Sequence, residues 1–230
     1  MTNAAPIARI QPSRWFKHAL SAGQLVDLLE ARLRALECAR DARAVFCSAR
    51  LSQLRQVCGL LESDVFGAGG AWVERLEIEH VHQYLRAADS WDRGDMTLTA
   101  APWRLIFARE RQGDTGPGES LRIGTIAHLA YDLPLALARI GAASAPDGAM
   151  GRAYRQLTEI YAMTTADAVR EAAARYTRAR FGRRQSAITD AWQRELREQA
   201  WDDATALIEA DEDGHRIAFT RIELAAMCEI

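Results

Sequence analysis

The segment from Glu119 to Ile140, ESLRIGTIAHLAYDLPLALARI, carries little polar surface on any face. A helix of that composition has no side to turn to water, so other helices must surround it. Gly124, His128, Asp132 and Pro134 lie inside it and make it a poor membrane span. The remaining solution is a bundle with this helix at its centre.

The rest of the chain supplies the surroundings. Ser21 suits an N-cap, and Leu25, Leu28, Leu29, Leu33 and Leu36 follow at helical spacing. Asp41 can open a second helix whose stripe runs Val45, Phe46, Leu51, Leu54, Val57, Leu60 and Leu61. The glycine run at 67–70 has no G-K-[ST] after it and no strand before it, so it reads as a loop and not as a phosphate cradle. Further helices are expected at about 71–91, from Pro102, at about 152–176, at 187–210 and at 216–228. Loops fall at GDTGPGES, at SAPDGAMG and at FGRRQS. No strand alternation and no internal repeat appears. The expected fold is all-α: one helical bundle of about eight helices over 21–230, preceded by an irregular arm over 1–20.

With 230 residues, 49% of them hydrophobic, the chain can bury a core without disulfides or metal staples. Its net charge of −2 gives nucleic-acid binding no support. Lys17 is the only lysine, so the basic residues are almost all arginine. A GC-rich coding sequence produces that bias, and bidentate anion recognition would exploit it. The arginines at 175, 178, 180, 183 and 184 read as a solvated cluster. The N-terminus lacks the pattern of a secretory signal. Cys38, Cys47, Cys58 and Cys228 form no C-x-x-C pair and read as free thiols, the first three buried, in a reducing cytoplasm. No partner protein is implied, and a homo-oligomer is left open.

Polar residues on buried stripes carry the functional information. In the central helix Thr125, His128 and Asp132 share a face, and the i,i+4 spacing lets His128 and Asp132 meet. Burying such a pair costs several kcal/mol unless it is satisfied. It reads as a general acid/base dyad, as a structural pair fixing register, or as two ligands of a metal. Glu77 and His80, spaced i,i+3 on the third helix, could complete an iron or zinc site with His128 and Asp132. The alternative for Glu77 and His80 is a pair at the stripe's edge. His82 should face solvent. Asp203 should reach the interior or pair with an arginine, and Tyr154 and Tyr161 should pack in the core. No GxSxG, GxGxxG or HExxH motif occurs.

The blocks YLRAADSWDRG, APWRLIF and AHLAYDLPLAL resemble the helical family catalogued as domain of unknown function 5995, with YRQLTEIYA and QAWDDA fitting more loosely. The specific part is the AH-x-x-x-DLP-x-AL core, carried here by His128, Asp132 and Pro134. The resemblance implies a single helical domain. It also implies that a metal site resting on His80 would be particular to this chain. Pro134 crowds the carbonyl of Ala130, so a kink is expected one turn from the His–Asp pair.

These observations lead to the expectation of an enzyme acting on a small, largely apolar molecule inside the bundle. His128 would be the acid/base and Asp132 would orient it. Tyr131, Tyr84 or Trp103 would shape the pocket, and Arg104 would hold an anionic group. The reaction would be a cyclisation, isomerisation or hydrolysis, such as a tailoring step in specialised metabolism. A metal-dependent enzyme and a non-catalytic binding or assembly protein are the alternatives.

Overall fold

In the computed structural model, residues 21–141, 148–176 and 189–230 are described. The expected arm over 1–20, the first half of SAPDGAMG, FGRRQS and the arginines at 178, 180, 183 and 184 lie outside them. Among the described residues there are nine α-helices and no strand. They are α1 (Ala22–Cys38), α2 (Ala44–Glu62), α3 (Gly70–Asp92), α4 (Ala101–Gln112), α5 (Pro117–Ile126), α6 (Leu133–Arg139), α7 (Ala149–Tyr176), α8 (Asp190–Glu209) and α9 (Glu212–Glu229).

The helix starts follow local chemistry. Ser21 and Gln24 form a reciprocal capping box on α1. Thr189 and Asp211 cap α8 and α9 through their side chains. Pro102 and Pro117 occupy first turns, where a missing N–H costs nothing. Leu25, Leu29, Leu33 and Leu36 are buried as the α1 stripe requires, whereas Leu28 is exposed. Of the cysteines, only Cys47 is buried; Cys38 and Cys228 are exposed, and all four are free.

The apolar segment is the centre of the bundle. It touches α2, α3, α4, α7, α8 and α9. It is not one regular helix. Between α5 and α6 the backbone makes a π turn over Ala127–Asp132, in which the Leu133 N–H reaches the His128 carbonyl, five residues back. Pro134 has no N–H to give, and the wider turn takes the place of the expected kink. Close packing is set by small residues. A Cβ on Gly124 would lie 2.5 Å from the Phe46 ring of α2, and one on Gly69 would lie 2.5 Å from Ala153 of α7.

Buried apolar side chains form three clusters. One gathers α1 to α5, a second α2, α3, α7, α8 and the central segment, and a third the π turn with α6, α8 and α9. No helix among the described residues is long and apolar enough to cross a membrane.

Candidate functional site

Between the first two clusters lies a polar group built from five elements. Arg50 comes from α2, Glu77 and His80 from α3, His128 and Asp132 from the π turn, and Tyr161 and Arg197 from α7 and α8. All are buried, and His128 is only 3% exposed. Each sits at a position where its helix stripe would ordinarily carry an apolar residue.

The π turn assembles the centre. His128 Nδ1 lies 3.1 Å from Asp132 Oδ2. The indole N–H of Trp103 donates to both Asp132 oxygens, at 3.1 and 3.0 Å. His80 Nε2 lies 2.8 Å from the His128 carbonyl. A carbonyl only accepts, so this nitrogen carries the hydrogen and His80 Nδ1 is a bare lone pair. The two imidazoles stack face to face, with centroids 3.5 Å apart and planes 5° apart. Phe46 meets the His128 ring edge-on at 5.6 Å, and Tyr84 packs against Phe46 and Trp103, each at 5.1 Å.

The second half is ionic. Arg50 Nη2 pairs with Glu77 Oε2, and its Nη1 donates to Tyr161 Oη at 2.8 Å. Tyr161 in turn donates to Glu77 Oε2 at 2.9 Å. Arg197 lies over the Tyr161 ring at 4.6 Å and the Tyr154 ring at 5.3 Å. Its Nε donates to Thr158 Oγ1 at 3.1 Å.

Burial dominates the electrostatics. It pushes His128 well below the usual imidazole range, with help from the positive charges of Arg50 and Arg197. His80 is lowered in the same way. Burial pushes the Asp132 carboxyl well above its ordinary value, against the Trp103 hydrogen bond. His128 and Asp132 therefore titrate as a unit. With the unit's proton present the pair is neutral overall. With it removed, His128 Nδ1–H donates to a carboxylate and Nε2 is a bare base. A proton exchanged with a neighbour passes through Nε2.

Five buried atoms of this one cluster have no hydrogen-bond partner among the described residues: Arg50 Nε, Glu77 Oε1, His80 Nδ1, His128 Nε2 and Arg197 Nη2. Buried polar atoms are nearly always paired, with protein, water or ligand, and these five belong to one cluster. The described pockets open elsewhere: about 480 Å³ beside Asp41 and Tyr176, about 580 Å³ over Phe107 and Glu110, and a shallow one along α9. His128 lines none of the three.

The sequence-predicted residues divide. His128, Asp132, His80 and Glu77 share one interior, and Glu77 and His80 are core residues instead of a boundary pair. Trp103 holds Asp132, and Tyr84 backs the aromatic wall. Two expectations are corrected. Tyr131 faces away, onto Phe219 of α9 at 6.1 Å, because the π turn directs it to the third cluster. Arg104 is exposed on α4 and spends its guanidinium on the Met96 carbonyl at 2.9 Å.

The iron or zinc centre is corrected as well. Among the described residues no group of three or more His, Cys, Asp or Glu side chains could hold a metal. A metal bound by imidazole lies in the ring plane, about 2 Å from nitrogen. Parallel rings stacked at 3.5 Å share no such point. Glu77 is committed to Arg50 and Tyr161.

Elsewhere Asp203 pairs with exposed Arg221 at 2.7 Å, and His82 is half-buried instead of solvent-facing. Sequence reasoning missed Arg50, Arg197 and the ion pair of buried Glu79 with half-buried Arg139. The signal was available: Arg50 lies four residues from both Phe46 and Leu54, on the α2 stripe.

Neither a search of curated proteins nor one of solved structures finds a match. A family model, described as a family of unknown function, matches residues 22–228. With nearly all of the described bundle inside that match, the chain belongs to DUF5995.

Proposed function

We propose that this protein is an acid–base enzyme acting on a small organic molecule, with His128 as the proton-transferring group. One observation carries the reading. Asp132 holds His128 Nδ1 while Nε2 stays unpartnered among other orphaned polar atoms. That is the arrangement of a base oriented by a carboxylate with its outer nitrogen free for substrate. Trp103 positions Asp132, and His80 fixes the ring plane by stacking and by its bond to the His128 carbonyl. The π turn supports the reading, since such turns recur at functional sites. Cyclisation, isomerisation and hydrolysis all use a proton exchanged at one such nitrogen, and a tailoring reaction of specialised metabolism would fit.

The test is turnover. Small-molecule extract incubated with wild-type protein should show at least one metabolite consumed. His128→Gln should lose that conversion by about 100-fold or more. Circular dichroism melting would show the variant folded. Extracts unchanged by wild type, or changed equally by both proteins, would contradict catalysis.

A second reading, a non-catalytic bundle with a structural His–Asp bolt, is favoured by the depth of burial of His128. It predicts that His128→Gln lowers the melting temperature without removing any conversion.

A further inference from the structure

The donor and acceptor inventory of the orphaned atoms specifies what would satisfy them. Arg50 Nε and Arg197 Nη2 are N–H donors that lack acceptors. Glu77 Oε1 and His80 Nδ1 are acceptors that lack donors. His128 Nε2 serves as either, according to whether the pair holds its proton. The occupant must therefore accept from guanidinium and also donate a hydrogen.

Charge adds a second requirement. Arg50 is offset by Glu77. Among the described residues the guanidinium of buried Arg197 makes one hydrogen bond, to a threonine hydroxyl, and forms no ion pair with a carboxylate. Tyrosine faces soften the cost of that cation but do not neutralise it. The unpartnered Nη2 of this guanidinium is matched by a carboxylate oxygen.

We propose that the interior bounded by Arg50, Glu77, His80, His128, Tyr161 and Arg197 binds a small hydroxycarboxylate, with its carboxylate on Arg197 and its hydroxyl toward Glu77 and His80. Phosphate fits less well, because it offers mainly acceptors and would repel Glu77. Water alone would satisfy hydrogen bonds but would leave Arg197 without a counter-charge. This assignment rests on the acid–base reading and deepens it. A carboxylate on Arg197 cancels a positive charge that depresses His128, so ligand binding makes the imidazole a better base. The proton it exchanges would then be one on the bound acid.

The experiment is thermal melting of the full chain with lactate or glycolate. Propionate and acetate serve as the matched acids without the hydroxyl, with inorganic phosphate and chloride at equal ionic strength. The hydroxy acids should raise the melting temperature by about 3 °C or more at saturation. The deoxy acids should do so by less than half as much, and phosphate and chloride should not. Arg197→Met should abolish the response. Arg197→Lys keeps the charge without the fork and should weaken binding about fivefold or more; it serves if the methionine variant does not fold. Equal responses to all salts, a response to phosphate alone, or a response surviving in Arg197→Met would overturn the proposal. Failure of catalysis is separable. A response without turnover in wild type retains the ligand and removes the enzyme; turnover without a response does the reverse.

Discussion

Arg50 and Glu77 show how much a single buried charge can cost here. Their ion pair is out of water, and Tyr161 bridges it. Removing one partner leaves the other charged and unpaired, a loss of about 3–5 kcal/mol. Removing both spares most of that cost. Glu77→Leu alone should thus destabilise by about 3 kcal/mol or more, and Arg50→Met with Glu77→Leu by distinctly less. Denaturant melts of the two singles and the double would check this. A double variant as unstable as the sum of the singles would mean that the pair is not coupled. The same residues mark how far the sequence could be read. His128 and Asp132 stood out because the rest of their helix is apolar. Arg50 and Arg197 were overlooked because in a chain with one lysine every helix carries arginines, so that only the place of Arg50 on the α2 stripe marks it.

At the scale of elements, the central segment explains both the success and the gap in the sequence reading. Its composition required burial, and it is buried. Its spacing placed His128 beside Asp132, and they meet at 3.1 Å. A π turn could not be read from the pattern, since it inserts one residue without altering which residues are apolar. Tyr131 was misplaced for that reason, and Arg104 because α4 had too few turns to fix its exposed face. Gly124 sets the packing of this segment. Its missing Cβ lets α5 approach Phe46, the ring that meets His128. Gly124→Ala gains about 1 kcal/mol of helix propensity but forces an overlap that costs about 1–3 kcal/mol. The expected net result is a loss of stability that shrinks in a Phe46→Leu background. A rise in stability on Gly124→Ala would show that the helices are not held at this approach.

Across the whole molecule, the bundle holds two neutral imidazoles and a protonation-prone carboxyl in an interior that also contains Arg50 and Arg197. This has a definite pH signature. His80 and His128 have folded values below their unfolded ones. Below about pH 6.5 the unfolded chain takes up protons that the folded one refuses, so these residues make stability fall as pH falls. Asp132 has a raised folded value, so the folded chain keeps a proton that the unfolded one releases above about pH 4. Its contribution has the opposite sign and offsets one of the two histidines. From this cluster the net expectation is that stability falls as pH is lowered from 6.5 to 5, read as a falling melting temperature. The measurement closest to the central claim is nitrogen-15 NMR of the imidazoles across this range, with His128→Gln assigning the signal. The His128 ring should stay neutral well below pH 6.5 with Nδ1 hydrogen-bonded. A His128 ring that becomes an imidazolium near pH 6.5, as an exposed histidine does, would contradict that claim.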